Sequence, residues 1–209
     1  MQIERPFNPL DKKNLGVSVA EALLGRPRSP LPPKDRFEGA GVYAIYYKGE
    51  FAAYQQIARK NRSQDEKDDV PIYVGKAVPA GARKGGLGLD APPGAALYNR
   101  LVDHAGSIVA ASGNLKIGDF FCRYLAVEDI WIPLGENLLI EMFSPLWNKV
   151  VDGFGNHDPG KGRHQGRLPA WDVLHPGRAW GSRLQPGASE ESILANISRA
   201  IGVAAARQE

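Results

Sequence analysis

The hydrophobic pattern changes its period several times along the chain, and each change marks an element. The first apolar cluster, around Val17–Leu24, has helical spacing and is followed by Gly25, Pro27, Pro30, Pro32 and Pro33. Gly and Pro just past such a cluster stop a helix, and prolines in series keep the chain extended. Residues 1–40 therefore read as an N-terminal arm, a short helix and an extended linker packed onto the core. Two runs rich in β-branched and aromatic residues, Gly41–Tyr47 and Pro71–Gly75, read as strands. The stretch between them is too long for a hairpin turn. It opens with Phe51, Tyr54 and Ile57, turns basic at Arg59, Lys60 and Arg62, and ends acidic at Asp65, Glu66, Asp68 and Asp69. That order predicts a helical excursion and then a solvated loop.

Beyond the second strand, Lys76–Gly94 is rich in Gly, Ala and Pro and reads as a loop. Ala95–Ala111 has Leu97, Leu101 and Ile108 on one side of a helix. A third strand is expected at Phe120–Ala126, then a helix over roughly Leu134–Phe143 stopped by Pro145. Ser189 is placed to cap a final helix, with Glu190 and Glu191 in its first turn and Ile193, Leu194, Ile197 and Ile201 along its stripe. Between Asp152 and Leu184 the pattern breaks down into Gly, Pro, Arg and His with Trp171 and Trp180 interleaved. Such a stretch suits a loop that wraps a polyanion, and also an ordinary surface loop.

Composition narrows the classes. With 209 residues, 43% of them hydrophobic and 23% charged, the chain can bury a core without staples. The net charge of +3 is too small to identify a nucleic-acid binder by itself. One cysteine, Cys122, excludes an internal disulfide and a Cys-rich zinc module, and its strand context marks it as a small buried hydrophobe. The N-terminus has no apolar signal-peptide core, and nothing approaches the roughly 18 apolar residues of a membrane span. A cytoplasmic protein is expected.

The candidate chemistry lies in an ordered series: Tyr43 and Tyr73 on strands, Arg100 and His104 four apart on a helix, Glu136 near the start of the next, then Asn148. Each alone has a bland reading, as core tyrosine, exposed helix pair or charge near a helix dipole. As a set they resemble the GIY-YIG nucleases. Gly41-Val42-Tyr43 stands where that family has its first tripeptide and Tyr73-Val74-Gly75 where it has its second. Leu97–His104 looks like its arginine-bearing helix, and Glu136–Ile140 with Pro145–Asn148 is similar to its closing motif, the acid and asparagine twelve positions apart. Glu141 is a rival acid, but five residues further on it lies about 140° round the helix.

The resemblance runs from Gly41 to Asn148, about half the chain, with longer spacing between the two tyrosines and a longer Gly-rich insertion than the family's minimal form. It implies an α+β fold, a small antiparallel sheet flanked by helices, with the core over 41–148, insertions at 48–70 and 76–94, and a DNA-contacting loop and helix over 149–209. Segments Asn14–Val17, Phe37–Tyr43, Asp152–Gly160 and Trp171–Arg178 further resemble the restriction endonucleases of this superfamily that cut CCGCGG.

The resemblance implies roles. Glu136 would hold one Mg2+, a metal that takes one or two carboxylates and keeps its waters. Arg100 would stabilise the phosphate, and Tyr43 would act as the base or its relay. His104 would assist Tyr43 or take the proton directly from water, Tyr73 would position water or phosphate, and Asn148 would order the site. Lys76, beside the second motif, is a phosphate candidate. Base reading needs arginine-like donors in the major groove. Lys161, Arg163, Arg167, Arg178 and Arg183 are candidates for that, and Arg59, Lys60 and Arg62 for gripping the backbone. A palindromic double-stranded DNA target implies a homodimer, and a restriction role implies a cognate DNA methyltransferase. Two rivals use the same residues: a repair or homing-type nuclease of relaxed specificity, and a non-catalytic DNA-binding module. A zinc site from His157, Asp158 and His164 is disfavoured by the loop-forming Pro159–Gly162 between them.

Overall fold

The computed structural model describes residues 7–79, 94–158, 160 and 166–206. At its centre is β2 (Gly41–Tyr47), a strand buried at every position. A strand buried on both faces must be covered on both. β2 pairs antiparallel with β3 (Pro71–Ala77) on one side and β4 (Phe120–Ala126) on the other, and β1 (Ser29–Pro30) completes the order β1-β4-β2-β3.

The pleat then divides the core. Tyr43, Ile45 and Tyr47 join the larger cluster with Leu97, Leu101 and Ile108 of α3 (Ala96–Ala110), together with Trp147 and Trp171. Val42, Ala44 and Tyr46 face the smaller cluster, built with Ala20 and Leu23 of α1 (Lys12–Leu24) and Ile132 and Leu139 of α4 (Ile132–Phe143). The expected α+β architecture, a small antiparallel sheet flanked by helices, is what forms.

Differences from the sequence reading have local causes. The first helix starts at Lys12 rather than near Val17, and it packs along α4. The extended linker supplies β1 through Ser29 and Pro30, paired with Cys122 and Phe121. Pro30 lacks an N–H, which suits an outer strand. Residues 48–70 contain a 3-10 turn at Ala52–Tyr54, then α2 (Gln55–Asn61), matching the expected excursion. Asp65, Glu66 and Asp68 are exposed as expected, but the last acid of the run is not: Asp69 is 4% exposed and ion-paired to Arg28 at 2.6 Å and to Arg123 at 2.7 Å. Arg123 occupies a buried position of β4, and an unpaired buried guanidinium would be costly, so Asp69 is drawn in to neutralise it. Glu66 meets the same arginine at 2.9 Å.

The stretch expected as an irregular loop is anchored inward at several of its described residues. It contains α6 (Ala170–Leu174) after the one-turn α5 (Leu146–Lys149), and Trp171 and His175 are fully buried. α7 (Glu190–Ala206) begins at the Ser189 cap, whose Oγ accepts from the Ser192 N–H at 3.3 Å, and adds Ile193 and Ile197 to the larger cluster. Cys122 is buried, and burial pushes its thiol up to about 12, so it is unreactive core. Among the described residues no helix is long and apolar enough to cross a membrane.

Candidate active site

Strand register brings the two motif tyrosines together. Tyr43 pairs across β2 and β3 with Gly75, and Ile45 pairs with Tyr73, so Tyr43 and Tyr73 are diagonal neighbours on one face. Their ring centroids are 6.3 Å apart. Gly75 makes this possible. A Cβ there would lie 2.4 Å from the Tyr43 hydroxyl and 3.0 Å from the Tyr73 ring, so any side chain would displace the phenol.

α3 crosses the same face. Arg100 and His104, one turn apart, both look into the cleft, in line with their spacing. The Tyr43 hydroxyl lies 2.6 Å from His104 Nε2. Burial, the neighbouring Tyr73 and the charge of Glu136 raise the Tyr43 phenol well above 10, against the pull of Arg100. Burial and then the Arg100 charge lower His104 well below 6.5. Both shifts favour the neutral forms, so Tyr43 donates and His104 accepts. Tyr73 is likewise raised by burial, with Arg100 lowering and Glu136 raising it. His104 is 2% exposed, stacked 4.5 Å from Phe154, so its accessible partner is Tyr43.

Asn148 works on the backbone. Its Oδ1 accepts from the Val74 N–H and its Nδ2 donates to the Val74 carbonyl, both at 2.8 Å. These bonds satisfy the outer edge of β3 between Tyr73 and Gly75 and lock both in place. Glu136 enters from α4, on the far side of the sheet edge, and pairs with Lys76 at 2.6 Å. Its side chain keeps 16% exposure, and Glu141 is on the exposed side of the same helix. The two acids therefore part company round the helix in the way their five-residue separation requires.

The fit to a divalent metal rests on Glu136. No group of three or more His, Cys, Asp or Glu side chains clusters among the described residues. One half-buried carboxylate beside a cleft fits a hard cation that retains its waters, and Lys76, 39% exposed, has room to swing away from it. Two members of the zinc alternative are engaged elsewhere, His157 Nε2 with Arg100 and Asp158 with Arg183; the third, His164, lies outside the described residues.

The expected DNA contacts divide. Arg59 and Lys60 lie exposed at the end of α2. Arg62 is tied to its own fold, donating to the Lys48 and Gly49 carbonyls and pairing with Glu50 at 2.6 Å. Arg183 pairs with Asp158 at 2.6 Å. Arg167 is exposed on the wall of a cavity of about 470 Å³, with Asn156, His157 and Trp180 also lining it. Lys161 and Arg163 lie outside the described residues. Arg178 corrects the expectation: it is 8% exposed, and all five of its N–H donors are spent on Asp172 and the carbonyls of Gly153, Phe154 and Asn156. A guanidinium so used has no donor left for a base.

Phe154, Gly155 and His157 contact Tyr73, His104 or Arg100, and the sequence alone does not mark them as site residues. Their one sequence signal is the unusual segment Asp152–Gly160.

The geometry fits one known family. The Eco29kI GIY-YIG domain matches residues 35–201. The chain belongs to this family of GIY-YIG restriction endonucleases. The match covers the core and most of the C-terminal extension, so the strands with Tyr43 and Tyr73, the Arg100 helix, Glu136, Asn148 and the segment 152–184 all fall inside one Eco29kI-type unit. GIY-YIG nucleases generally use a divalent metal, and DNA is the substrate that the nuclease domain implies. No curated protein matches the chain.

Proposed function

We propose that this restriction-type endonuclease is a type II enzyme that cuts palindromic CCGCGG in double-stranded DNA, as a homodimer, with one Mg2+ per active site. The observation that carries the catalytic part is the 2.6 Å contact of Tyr43 with His104, in a cleft that also holds Tyr73 and Arg100. The CCGCGG assignment rests on the resemblance and on the Eco29kI match.

The chemistry is set by which groups are neutral. Transfer of a proton from Tyr43 to His104 alone would create a buried phenolate and imidazolium, which burial disfavours. A relay avoids that. An attacking water gives its proton to the Tyr43 oxygen as Tyr43 passes its own to His104 Nε2. The phenol ends neutral, and only His104 gains charge, close to a phosphate whose negative charge is growing. His104 is buried and stacked on Phe154, which supports a route through Tyr43 over direct transfer from water. Arg100 offers donors to the non-bridging phosphate oxygens. Glu136 would hold the divalent metal, which when bound supplies charge neutralisation at the phosphate and at the leaving oxygen. Asn148 holds β3, and Tyr73 borders the water's path. Lys76, Arg59, Lys60 and Arg167 are the proposed backbone or base contacts, joined by Lys161 and Arg163. A cognate methyltransferase would protect the host sites.

The test is cleavage of a plasmid with a single CCGCGG site, with Mg2+ or EDTA, against the same plasmid with that site mutated and against Glu136→Gln. Linear product that requires Mg2+, the site and Glu136 is the expected result. Metal-dependent cutting of both plasmids would leave a nuclease of relaxed specificity. Tight DNA binding without cutting of either would favour a non-catalytic module.

A further inference from the structure

Residues 153–157 cross the mouth of the cleft as a strap held from beneath. Arg178 Nε donates to Asp172 Oδ1 at 2.6 Å, and its Nη2 also reaches Asp172 Oδ2. Its remaining donors go to the carbonyls of Phe154 at 3.1 Å, Asn156 at 3.0 Å and Gly153 at 2.9 Å. The guanidinium also lies 4.7 Å from the Trp171 ring and 4.5 Å from the Trp180 ring. One carbonyl is missing from this set. That of Gly155 accepts instead from Arg100 Nη2 at 2.7 Å, and His157 Nε2 is hydrogen-bonded to Arg100 Nη1.

The strap is fitted closely to the site. A Cβ on Gly155 would stand 2.6 Å from the Tyr73 hydroxyl and 3.3 Å from Arg100 Nη2. Gly153 has φ +100°, in the region favouring glycine, and a Cβ there would meet Pro169 at 2.2 Å.

We propose that the strap is a positioning device for Arg100, with His157 as a positioning residue and Arg178 with Asp172 as its anchor. The inference rests on the reading that Arg100 bears on the scissile phosphate. An arginine side chain carries five N–H donors on a long flexible stem. Two of those donors are held by Gly155 and His157, which fixes the plane of the guanidinium and turns the others toward the two tyrosines and the substrate. Donors fixed in advance need no reorganisation when charge develops, which is the condition for strong electrostatic catalysis. The buried Arg178–Asp172 pair carries this rigidity down to the Trp171 core.

The alternative is a strap that restrains Arg100 and must release it before reaction. The two roles predict opposite signs. Single-turnover cleavage of the CCGCGG plasmid is measured in Mg2+, and DNA affinity in Ca2+, for wild type, His157→Ala, His157→Gln and Arg178→Lys. Positioning predicts that His157→Ala loses about 10- to 100-fold in cleavage rate, with DNA affinity and melting temperature unchanged. His157→Gln, whose amide oxygen can accept in place of Nε2, restores most of the rate. The Arg100 guanidinium is followed independently by nitrogen-15 NMR, where slow rotation in wild type becomes fast in His157→Ala and in Arg178→Lys. Faster cleavage by His157→Ala, or identical Arg100 dynamics in wild type and His157→Ala, would overturn the proposal. If no protein cuts DNA but the Arg100 dynamics differ as stated, the strap stands and the endonuclease reading falls.

Discussion

Tyr43 and His104 form a buried hydrogen bond of 2.6 Å in which burial has pushed both partners toward their neutral forms. A lone buried phenol is a poor base and a lone buried imidazole cannot meet water. Joined, they make a path for one proton. If they act as a unit, removing either should cost nearly as much as removing both. Tyr43→Phe and His104→Ala are each expected to lower the single-turnover cleavage rate about 10²- to 10⁴-fold, and the double variant no more than the worse single one. Additive losses would mean that they act separately. Because His104 already sits well below 6.5, kcat/KM of the wild type should show no loss from its titration near that pH.

Lys76 occupies the Glu136 carboxylate at 2.6 Å, the position where a divalent cation would be held. Metal binding must therefore displace an ammonium group. Lys76→Met should bind Mn2+ several-fold more tightly than wild type by calorimetry, while Glu136→Gln should lose the site. Equal affinities for wild type and Lys76→Met would mean that the pair opens at no cost. Should Lys76 also contact phosphate, the same variant will need more DNA for half-maximal cleavage despite its tighter metal.

How much of the fold and the site is legible in the sequence depends on whether the information is local. Strands at Gly41–Tyr47 and Phe120–Ala126 announce themselves by β-branched and aromatic runs, and the 100-to-104 spacing shows that Arg100 and His104 share a face. The family resemblance adds what no spacing shows, that elements far apart converge on one site. Charge is less readable. Asp69 looks as solvated as the exposed acids before it because nothing near it in sequence reveals Arg123, 54 positions away, which needs it as a buried counter-ion. Arg178 misleads for the same reason. A basic residue among Gly, Pro and Trp looks like a DNA contact until Asp172 and the carbonyls around it are seen to use every donor.

Arg178 accordingly yields a prediction about folding rather than DNA. Arg178→Ala leaves Asp172, 3% exposed, without its counter-ion, and breaking such a pair costs about 3–5 kcal/mol. Denaturant unfolding should show that loss. A DNA contact would behave differently, with small effects on folding and a shallower salt dependence of DNA affinity. Arg178→Lys, measured at low temperature where it remains folded, should keep the wild-type salt slope. Arg167→Ala should reduce that slope by about one if Arg167 grips a phosphate.

A second tyrosine–histidine pair has no access to the cleft and bears on stability instead. His175 is fully buried, with its Nε2 2.7 Å from the Tyr54 hydroxyl and its Nδ1 2.8 Å from Asn114 Oδ1. Burial lowers it from 6.5 to about 3, so the folded protein holds it neutral across the range where the unfolded chain takes up a proton. The contribution to stability is complete above about pH 6.5 and is lost progressively as pH falls toward 3. It amounts to about 5 kcal/mol over that window. His104 adds to it with the same sign, since its folded value is also depressed. Urea unfolding between pH 7 and pH 4 should therefore show a steep fall in stability. His175→Gln, which keeps polar atoms toward Tyr54 and Asn114 but cannot titrate, should start less stable at pH 7 and lose less on acidification. A slope unchanged by His175→Gln would assign the acid sensitivity to His104 instead.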